Sequence, residues 1–190
     1  MNDNFNDSFF CRRILQKITA LASGSGPMRF MEVCGTHTVR IGEAGIRSLL
    51  PKNISLVSGP GCPVCVTPGS YIDNAVEAAL REGFKIATFG DMIRVPGENW
   101  SLESARASGV KVEVVTSPYD VLNITGPVMF LAVGFETTAA PIAAAVSKAV
   151  ESKRDDIFFY TSLKTVPPAL KALQSMPDIG IDGFLLPGHV

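Results

Sequence analysis

The chain has 190 residues, enough for one α/β domain or two small ones with a sizeable buried core. Charged residues make up 18% of it, below the roughly 25% of a typical soluble domain, which favours extensive burial or a surface that meets a partner. A net charge of −1 with no block of basic residues argues against nucleic acid as a ligand.

The N-terminus argues against export and membrane insertion. No apolar run approaches the roughly 20 residues that cross a bilayer, and the first apolar stretch is interrupted by Lys17. A signal peptide has basic residues first and an unbroken apolar centre, and here acidic and amide residues come first. We therefore expect a cytoplasmic protein. Four cysteines in such a chain indicate redox or metal chemistry before a disulfide framework.

Short apolar runs alternate with amphipathic runs along the chain, separated by loops rich in glycine and proline. The apolar runs predict seven strands, at residues 28–33, 54–58, 85–89, 110–115, 128–133, 157–161 and 184–186. The amphipathic runs predict helices over residues 38–49, 101–108, 141–152 and 167–175. A further helix is predicted to start at the capping-box spacing of Ser70 and Asp73, to present Leu80 on its apolar face and to end at Gly83. Ser117, Pro118 and Asp120 have the pattern of an N-cap, a first-turn proline and a capping-box partner.

Strands separated by helices predict an α/β fold with parallel sheets and right-handed crossovers. The natural break after four strands predicts two similar Rossmann-like lobes, the first over residues 1–117 and the second over residues 118–190. The second lobe has only three predicted strands, and the chain stops directly after the last of them. We therefore expect a truncated second lobe and a fragment of a longer protein.

The chemically unusual segments all follow predicted strands. Open parallel sheets bind ligands at the carboxyl ends of their strands, so these loops are expected to share an edge within each lobe. Two lobes that face each other would gather all of them around one cleft. The segments are CGTHT, GPGCPVC, GDMIRVPG, GFETT and PGHV.

Cys34 stands where the first strand ends and a helix is about to begin. Amides at a helix N-terminus favour the thiolate, which is the form that attacks as a nucleophile and binds metals. His37 is placed to bond to that sulfur or to share a proton with it. The competing interpretation is a small buried cysteine followed by a capping histidine, and one Cys-x-x-His pair does not decide between them.

Cys62 and Cys65 form a CxxC pair, for which three functional interpretations compete. A zinc site needs two further ligands, and the sequence has no second CxxC or HxxxH. An iron–sulfur site would have to recruit Cys34 and Cys11 at irregular spacing. A dithiol–disulfide couple needs nothing else, and Pro63 restricts the turn in a way that favours a defined geometry between the sulfurs. Two inert thiols in a turn remain the simplest alternative.

The remaining candidates have less distinctive surroundings. Cys11 lies in an apolar, helical stretch and is expected to pack. Glu136 and Asp91 are either ligand contacts or helix-capping carboxylates. Arg94 is placed to hold an anion or to pair with either acid, and the environment of His189 at the end of the chain stays open.

Five segments together resemble the HypD family of hydrogenase maturation factors, in family order and over essentially the whole chain. They are MEVCGTHT at 31–38, GPGCPVCVTP at 59–68, TFGDMIRVPG at 88–97, AVGFETTAAP at 132–141 and LLPGHV at 185–190. The resemblance implies two α/β lobes that face a cleft. It also implies assembly of an Fe(CN)2CO unit for nickel–iron hydrogenases, in a complex with the small chaperone HypC and with HypE as the donor of cyanide.

The resemblance also implies roles for single residues. Cys34 matches the cysteine proposed as an iron ligand, and His37 matches its neighbouring functional histidine. Cys62 and Cys65 match the thiol pair proposed to relay electrons between a [4Fe–4S] cluster and the iron. The other candidates fall in motifs that line the cleft, namely Asp91, Arg94, Glu136 and His189.

One departure concerns the cluster, because the cysteines that hold it in the family lie beyond position 190. We therefore expect a [4Fe–4S] cluster only in the full-length protein. The leading hypothesis is a metallocentre-assembly scaffold that holds iron through Cys34 while the CxxC pair exchanges electrons. The alternatives are a thiol–disulfide oxidoreductase that uses Cys62 and Cys65, and an α/β small-molecule-binding domain with incidental cysteines. Whether the protein is an enzyme stays open.

Overall fold

A computed structural model describes residues 7–59 and 61–186 and shows an α/β protein with two parallel sheets, as expected for Rossmann-like lobes. Its strands are β1 Met28–Glu32, β2 Ile54–Ser58, β3 Lys85–Thr88, β4 Val112–Val114, β5 Val128–Gly134, β6 Ile157–Leu163 and β7 Gly183–Leu185. Its helices are α1 Ser8–Ala22, α2 Gly35–Glu43, α3 Ile46–Leu49, α4 Gly69–Glu82, α5 Leu102–Ala107, α6 Glu136–Glu151 and α7 Val166–Gln174. Within these residues, no helix combines the length and apolar character needed to cross a membrane.

Among the described residues, the first compact unit contains those up to Cys62 together with residues 169–186. Its sheet has the strand order β2-β1-β7, with β1 in the centre and all neighbours parallel. Just beyond β1, the Val33 N–H donates to Leu185 O at 3.1 Å, and the Gly59 N–H donates to Glu32 O at 2.8 Å. The carboxyl end of β1 therefore lies between the carboxyl ends of β2 and β7.

The second unit runs from Pro63 to Pro168 around a parallel sheet of order β4-β3-β5-β6. Its central strand β5 is apolar without interruption because both of its faces are covered. Leu131 and Val133 pack into a core with α4 and α5, whereas Phe130 and Ala132 pack into a core with α6 on the other face. Such continuous burial explains why the run predicts a strand from sequence alone.

The division between the units differs from the predicted boundary after residue 117. Strand β3 precedes that boundary and pairs with β5, which follows it, so the predicted break falls inside the second sheet. The observed division follows Cys62, and the first sheet recruits β7 from the end of the described chain. Strands that are adjacent in a sheet need not be adjacent in sequence, and a count of consecutive strands therefore misplaces the boundary.

Several helix ends also differ from the predictions. The helix predicted over residues 38–49 is two helices, because Gly45 between them adopts the left-handed conformation with φ of 62°. Helix α6 begins at Glu136 and includes Pro141 in its interior, whereas proline suggested a start at residue 141. Its first turn already contains the glutamate of the GFETT segment.

The two predicted capping boxes have different outcomes. Ser117 and Asp120 form a capping box in the structure, ahead of a short 3-10 helix. Ser70 and Asp73 do not, because Pro68 occupies the N-cap of α4 and Asp73 bonds to another loop. Leu80 is 52% exposed and does not belong to the buried face of α4, which consists of Ile72, Ala75, Val76 and Ala79 among others.

Candidate functional site

Cys34 occupies the N-cap of α2, directly after the central strand of the first unit, and its side chain is buried. Burial alone would raise the pKa of its thiol. The backbone N–H groups of His37 and Thr36 and the Thr36 hydroxyl act in the opposite direction and outweigh burial, so the pKa lies below its ordinary value. The thiolate is therefore stabilised, as the position before the helix predicts.

His37 contributes to this cradle through its backbone amide, and its side chain is half-buried on the first turn of α2. The expectation that its ring bonds to the sulfur or shares a proton with it stays a prediction. What the structure adds is that the CGTHT segment acts on Cys34 largely through the main chain, because the helix turns its first amides toward the residue before it.

The glycine-rich loop after β2 packs with its backbone directly against the Cys34 segment. A Cβ added to Gly61 would lie 2.7 Å from Cys34 Cα and 2.6 Å from Gly35 N, which is closer than real Cβ atoms approach. A Cβ added to Gly59 would lie 2.6 Å from the side chain of Met31 and 2.9 Å from Glu32 O. The GPGC run is therefore built from glycine so that the chain leading to Cys62 can touch the loop that holds Cys34.

Cys62 is half-buried and Cys65 is exposed, and the division between the two units passes between them, directly after Cys62. The residues of the CxxC segment form a turn between β2 and α4. Val64, between the two cysteines, packs against the core of the second unit. The pair therefore connects a segment packed on Cys34 to a segment anchored in the second unit.

A buried carboxylate lies two residues before Cys34. Glu32 has no exposed surface, and its two oxygens accept hydrogen bonds from Thr38 Oγ1 and Arg47 Nη2, both at 2.6 Å. Thr38 belongs to α2 and Arg47 to α3, so one side chain of β1 fixes both helices. Because the amides of α2 surround the Cys34 sulfur, this network positions the cradle without contacting the thiol.

Glu136 is the first residue of α6 and is half-buried. Its Oε1 accepts a hydrogen bond from the Val166 N–H at 2.8 Å, which ties the start of α6 to the start of α7. Its Oε2 is buried and has no hydrogen-bond partner among the described residues. A buried acceptor atom without a partner, such as Oε2, fits a contact with a ligand. Oε1 holds the start of α7 at the same time, so each oxygen of the carboxylate has its own role.

The GDMIRVPG segment places its two charged candidates at the surface. Asp91 is exposed within a 3-10 helix, Gly90–Met92. Arg94 is 85% exposed and lies 3.7 Å from Glu103, so among the described residues it pairs with neither Asp91 nor Glu136, and its alternative role of holding an anion stays a prediction. An exposed pair of this kind contributes little to stability, which leaves the guanidinium available to a partner.

Asp73 fixes the end of this segment from α4. Its buried carboxylate accepts hydrogen bonds from the backbone N–H groups of Glu98, Asn99 and Trp100 at 2.8 to 3.2 Å. Burial would raise the pKa of Asp73, but these three amides lower it below its ordinary value. The carboxylate that capping-box spacing assigns to α4 itself thus holds a distant loop.

His189 and the rest of the PGHV motif lie outside the described residues. Within those residues, no group of three or more His, Cys, Asp and Glu side chains is arranged to hold a metal ion. The structure brings together the Cys34 loop and the approach to Cys62, and it places Asp91, Arg94 and Glu136 in the second unit.

Sequence reasoning missed the side chains that support these loops. Glu32 is the clearest, since a carboxylate inside the apolar run MRFMEV is itself a signal of a buried polar partner. Arg47 carries no comparable signal, because an arginine on a short helix is usually solvated. The spacing of Asp73 predicts that its carboxylate accepts a hydrogen bond within α4, whereas it accepts hydrogen bonds from the loop at residues 98–100.

The fold and the site define an α/β protein whose cysteine-bearing loops lie at the carboxyl edge of parallel strands. Residues 10–190 match the family model HypD, described as the hydrogenase formation hypA family, and the chain belongs to this family. It is 44% identical over 169 residues to the hydrogenase maturation factor HypD of Escherichia coli strain K12, with 86% of this chain and 45% of that protein covered.

Other relatives extend the match to nearly the whole chain. The HypD proteins of Rhizobium leguminosarum bv. viciae and Azotobacter vinelandii are 37% and 38% identical to it, with 99% of this chain and 52% of each relative covered. The chain therefore spans about half the length of the curated relatives it matches. The family resemblance carried by the five motifs is confirmed.

Proposed function

We propose that this chain is the iron-holding part of a hydrogenase maturation factor, which presents iron through Cys34 while Cys62 and Cys65 exchange electrons with the bound iron. Its substrate is the iron atom that receives cyanide and carbon monoxide to become the Fe(CN)2CO unit. Family membership supports the role in hydrogenase maturation, and the contacts around Cys34 support the assignment of the residues.

One observation carries this proposal more than the others. The backbone at Gly61 packs against Cys34 Cα so closely that no side chain fits between them. Cys62 follows Gly61 directly, so the first sulfur of the pair begins one residue from that contact. A chain that used its CxxC pair for an unrelated purpose would have no need to press this segment onto a stabilised thiolate.

The chemistry follows from the properties of sulfur. A thiolate is a soft ligand that suits iron carrying strongly bound carbon ligands, and the amide cradle favours that form of Cys34 by lowering the pKa of its thiol. Oxidation of two thiols to one disulfide releases two electrons and two protons. In the proposed cycle, the Cys62 and Cys65 pair supplies two electrons to a centre held by Cys34.

The remaining parts of the reaction lie with partners and with the longer protein. We propose that a HypC-type chaperone completes the iron ligands, because no three metal-binding side chains converge within residues 7–59 and 61–186. A HypE-type protein supplies cyanide, and a [4Fe–4S] cluster in the full-length protein supplies the electrons that reduce the disulfide back to two thiols. Maturation of this kind would take place in the cytoplasm, without nucleic acid or membrane.

Complementation of a host that lacks its own HypD tests the proposal. The full-length protein should restore hydrogenase activity, Cys62→Ser and Cys65→Ser should reduce it at least tenfold, and Cys11→Ser should retain it. Cys11 is the matched control because it is exposed on α1, away from both loops in sequence. Wild-type maturation with both Cys62 and Cys65 replaced would contradict the relay.

The same proteins separate the proposal from a thiol–disulfide oxidoreductase. An oxidoreductase would reduce a model disulfide catalytically in the absence of iron and of partner proteins. We expect no such turnover from the wild-type protein, since the pair serves a bound centre. Iron-independent turnover that is lost in Cys62→Ser would favour the oxidoreductase instead.

A further inference from the structure

The CxxC turn is held by the threonine that follows it. The Thr67 N–H donates to Val64 O at 3.1 Å and closes the turn around Cys65. The Thr67 hydroxyl donates to Pro63 O at 2.8 Å, which fixes the peptide group between the two cysteines. Val64 adds an apolar contact to the core of the second unit. All of these contacts lie within that unit.

The Ser162 hydroxyl and the Lys164 ammonium group extend the hydrogen bonds of Thr67 to β6. Thr67 Oγ1 lies 3.1 Å from Ser162 Oγ, and Lys164 Nζ donates to Ser162 Oγ at 2.9 Å. Thr67 uses its only hydroxyl proton on Pro63 O, so Ser162 must be the donor in the contact between the two hydroxyls. Lys164 therefore donates to Ser162, Ser162 donates to Thr67, and Thr67 donates to Pro63 O in the CxxC turn.

The surroundings of Lys164 favour the interaction of its ammonium group with Ser162 over other interactions. Ser162 is only 8% exposed, and Lys164 is half-buried. Among residues 7–59 and 61–186, no carboxylate lies within ion-pair distance of Lys164. A charged donor at one end polarises the hydroxyls that follow it and strengthens each bond.

The helix after the turn is fixed to the same strand. Tyr71 of α4 stacks on Tyr160 of β6 with ring centroids 4.4 Å apart, and its hydroxyl donates to Tyr160 O. Strand β6 therefore holds the CxxC turn at Thr67 and also holds the following helix, α4, at Tyr71. Displacement of β6 residues near Ser162 would be transmitted directly to Cys65.

We propose that Lys164 is a positioning residue for the CxxC turn, which acts through Ser162 and Thr67 to set the thiol–disulfide equilibrium of Cys62 and Cys65. The proposal deepens the electron-relay function and rests on it for its redox consequence. The anchoring of the turn does not depend on that function. Reduction of the disulfide adds two electrons and two protons, supplied in the test below by dithiothreitol.

The test uses two pairs of variants in the full-length protein. Lys164→Met removes the charge and Lys164→Arg retains it, while Thr67→Val removes the hydroxyl and Thr67→Ser retains it. Lys171→Met, an exposed lysine on α7, serves as the control. Hydrogen–deuterium exchange reports the amides of residues 64–67, and titration with dithiothreitol reports the equilibrium constant of the Cys62 and Cys65 pair between pH 6 and pH 9.

Lys164→Met and Thr67→Val should speed exchange at residues 64–67 at least tenfold and change the equilibrium constant at least threefold. Lys164→Arg, Thr67→Ser and Lys171→Met should stay within twofold of wild type. Values within twofold of wild type for Lys164→Met in both measurements would overturn the proposal. If the wild-type pair forms no disulfide at any ratio of thiol to disulfide, the electron relay is refuted, and the exchange data still decide whether Lys164 holds the turn.

Discussion

Replacement of Gly61 by alanine should lower the free energy of unfolding of the first unit by about 3 kcal/mol, as measured by denaturant unfolding. The added Cβ would lie 2.6 to 2.8 Å from the Gly35 N, Cys34 Cα and Cys34 C atoms. All three are backbone atoms, so no side-chain rotation can relieve the overlap, and the two loops must separate. Separation removes the contact between the CxxC segment and Cys34.

Gly42→Ala is the matched control for this change. Gly42 lies in α2, and a Cβ there meets no atom within 4 Å. Alanine in a helix interior is favoured over glycine by roughly 0.5–1 kcal/mol, so this variant should be slightly more stable than wild type. Equal stability of Gly61→Ala and Gly42→Ala would show that the loops are not packed backbone to backbone.

Arg47→Ala should lower the free energy of unfolding by about 2 kcal/mol and weaken iron retention at Cys34. Removal of one partner from a buried ion pair costs about 3–5 kcal/mol, because the other charge stays buried without compensation. Glu32 has no exposed surface, but Arg47 keeps 41% of its side chain exposed. Water can therefore reach the vacated position, and the expected cost falls below the usual range.

The comparison with Arg40→Ala isolates the effect of burial. Arg40 also pairs with a glutamate, Glu43, but the two side chains are 75% and 57% exposed. Loss of such a pair should change the free energy of unfolding by no more than about 0.5 kcal/mol. If denaturant unfolding gives the same value for both variants, the Glu32 network does not support the α2 cradle.

Elements with strong local signals could be predicted from the sequence. Strand β2 was predicted at residues 54–58 and has those bounds, since β-branched and apolar residues there are enclosed by turn formers. The Ser117 and Asp120 capping box was recognised from spacing, because its hydrogen bonds are local. The position of Cys34 at a helix N-terminus was recognised for the same reason.

Features that depend on pairing between distant segments could not be predicted. The predicted boundary after residue 117 differs from the observed division because β5 pairs with β3, and the sequence pattern of a strand does not specify its neighbour. Asp73 has the spacing of a capping residue, yet the loop at residues 98–100 offers it three amides from 25 or more positions away. The close approach of Gly61 to Cys34 is likewise invisible until both loops are placed.

The motifs predict which residues form the candidate site, and the functions of those residues stay predictions, whereas no motif indicates the side chains that support them. The motifs identified Cys34, Cys62 and Cys65 together with the edge of the sheet on which such loops lie. Glu32 and Lys164 act through other residues, so they form no motif with the groups they position. Their functions follow only from hydrogen bonds that the fold creates.

The infrared spectrum of the protein purified with its HypC-type partner tests the central claim most directly. Iron-bound carbon monoxide and cyanide absorb where the protein does not, so the spectrum reports the centre itself. Cys34→Ser removes the soft ligand and places a preferred N-cap residue before α2, so the fold should persist. We expect the bands in wild type and in Cys11→Ser and their loss in Cys34→Ser. Unchanged bands and iron content in folded Cys34→Ser would contradict the account.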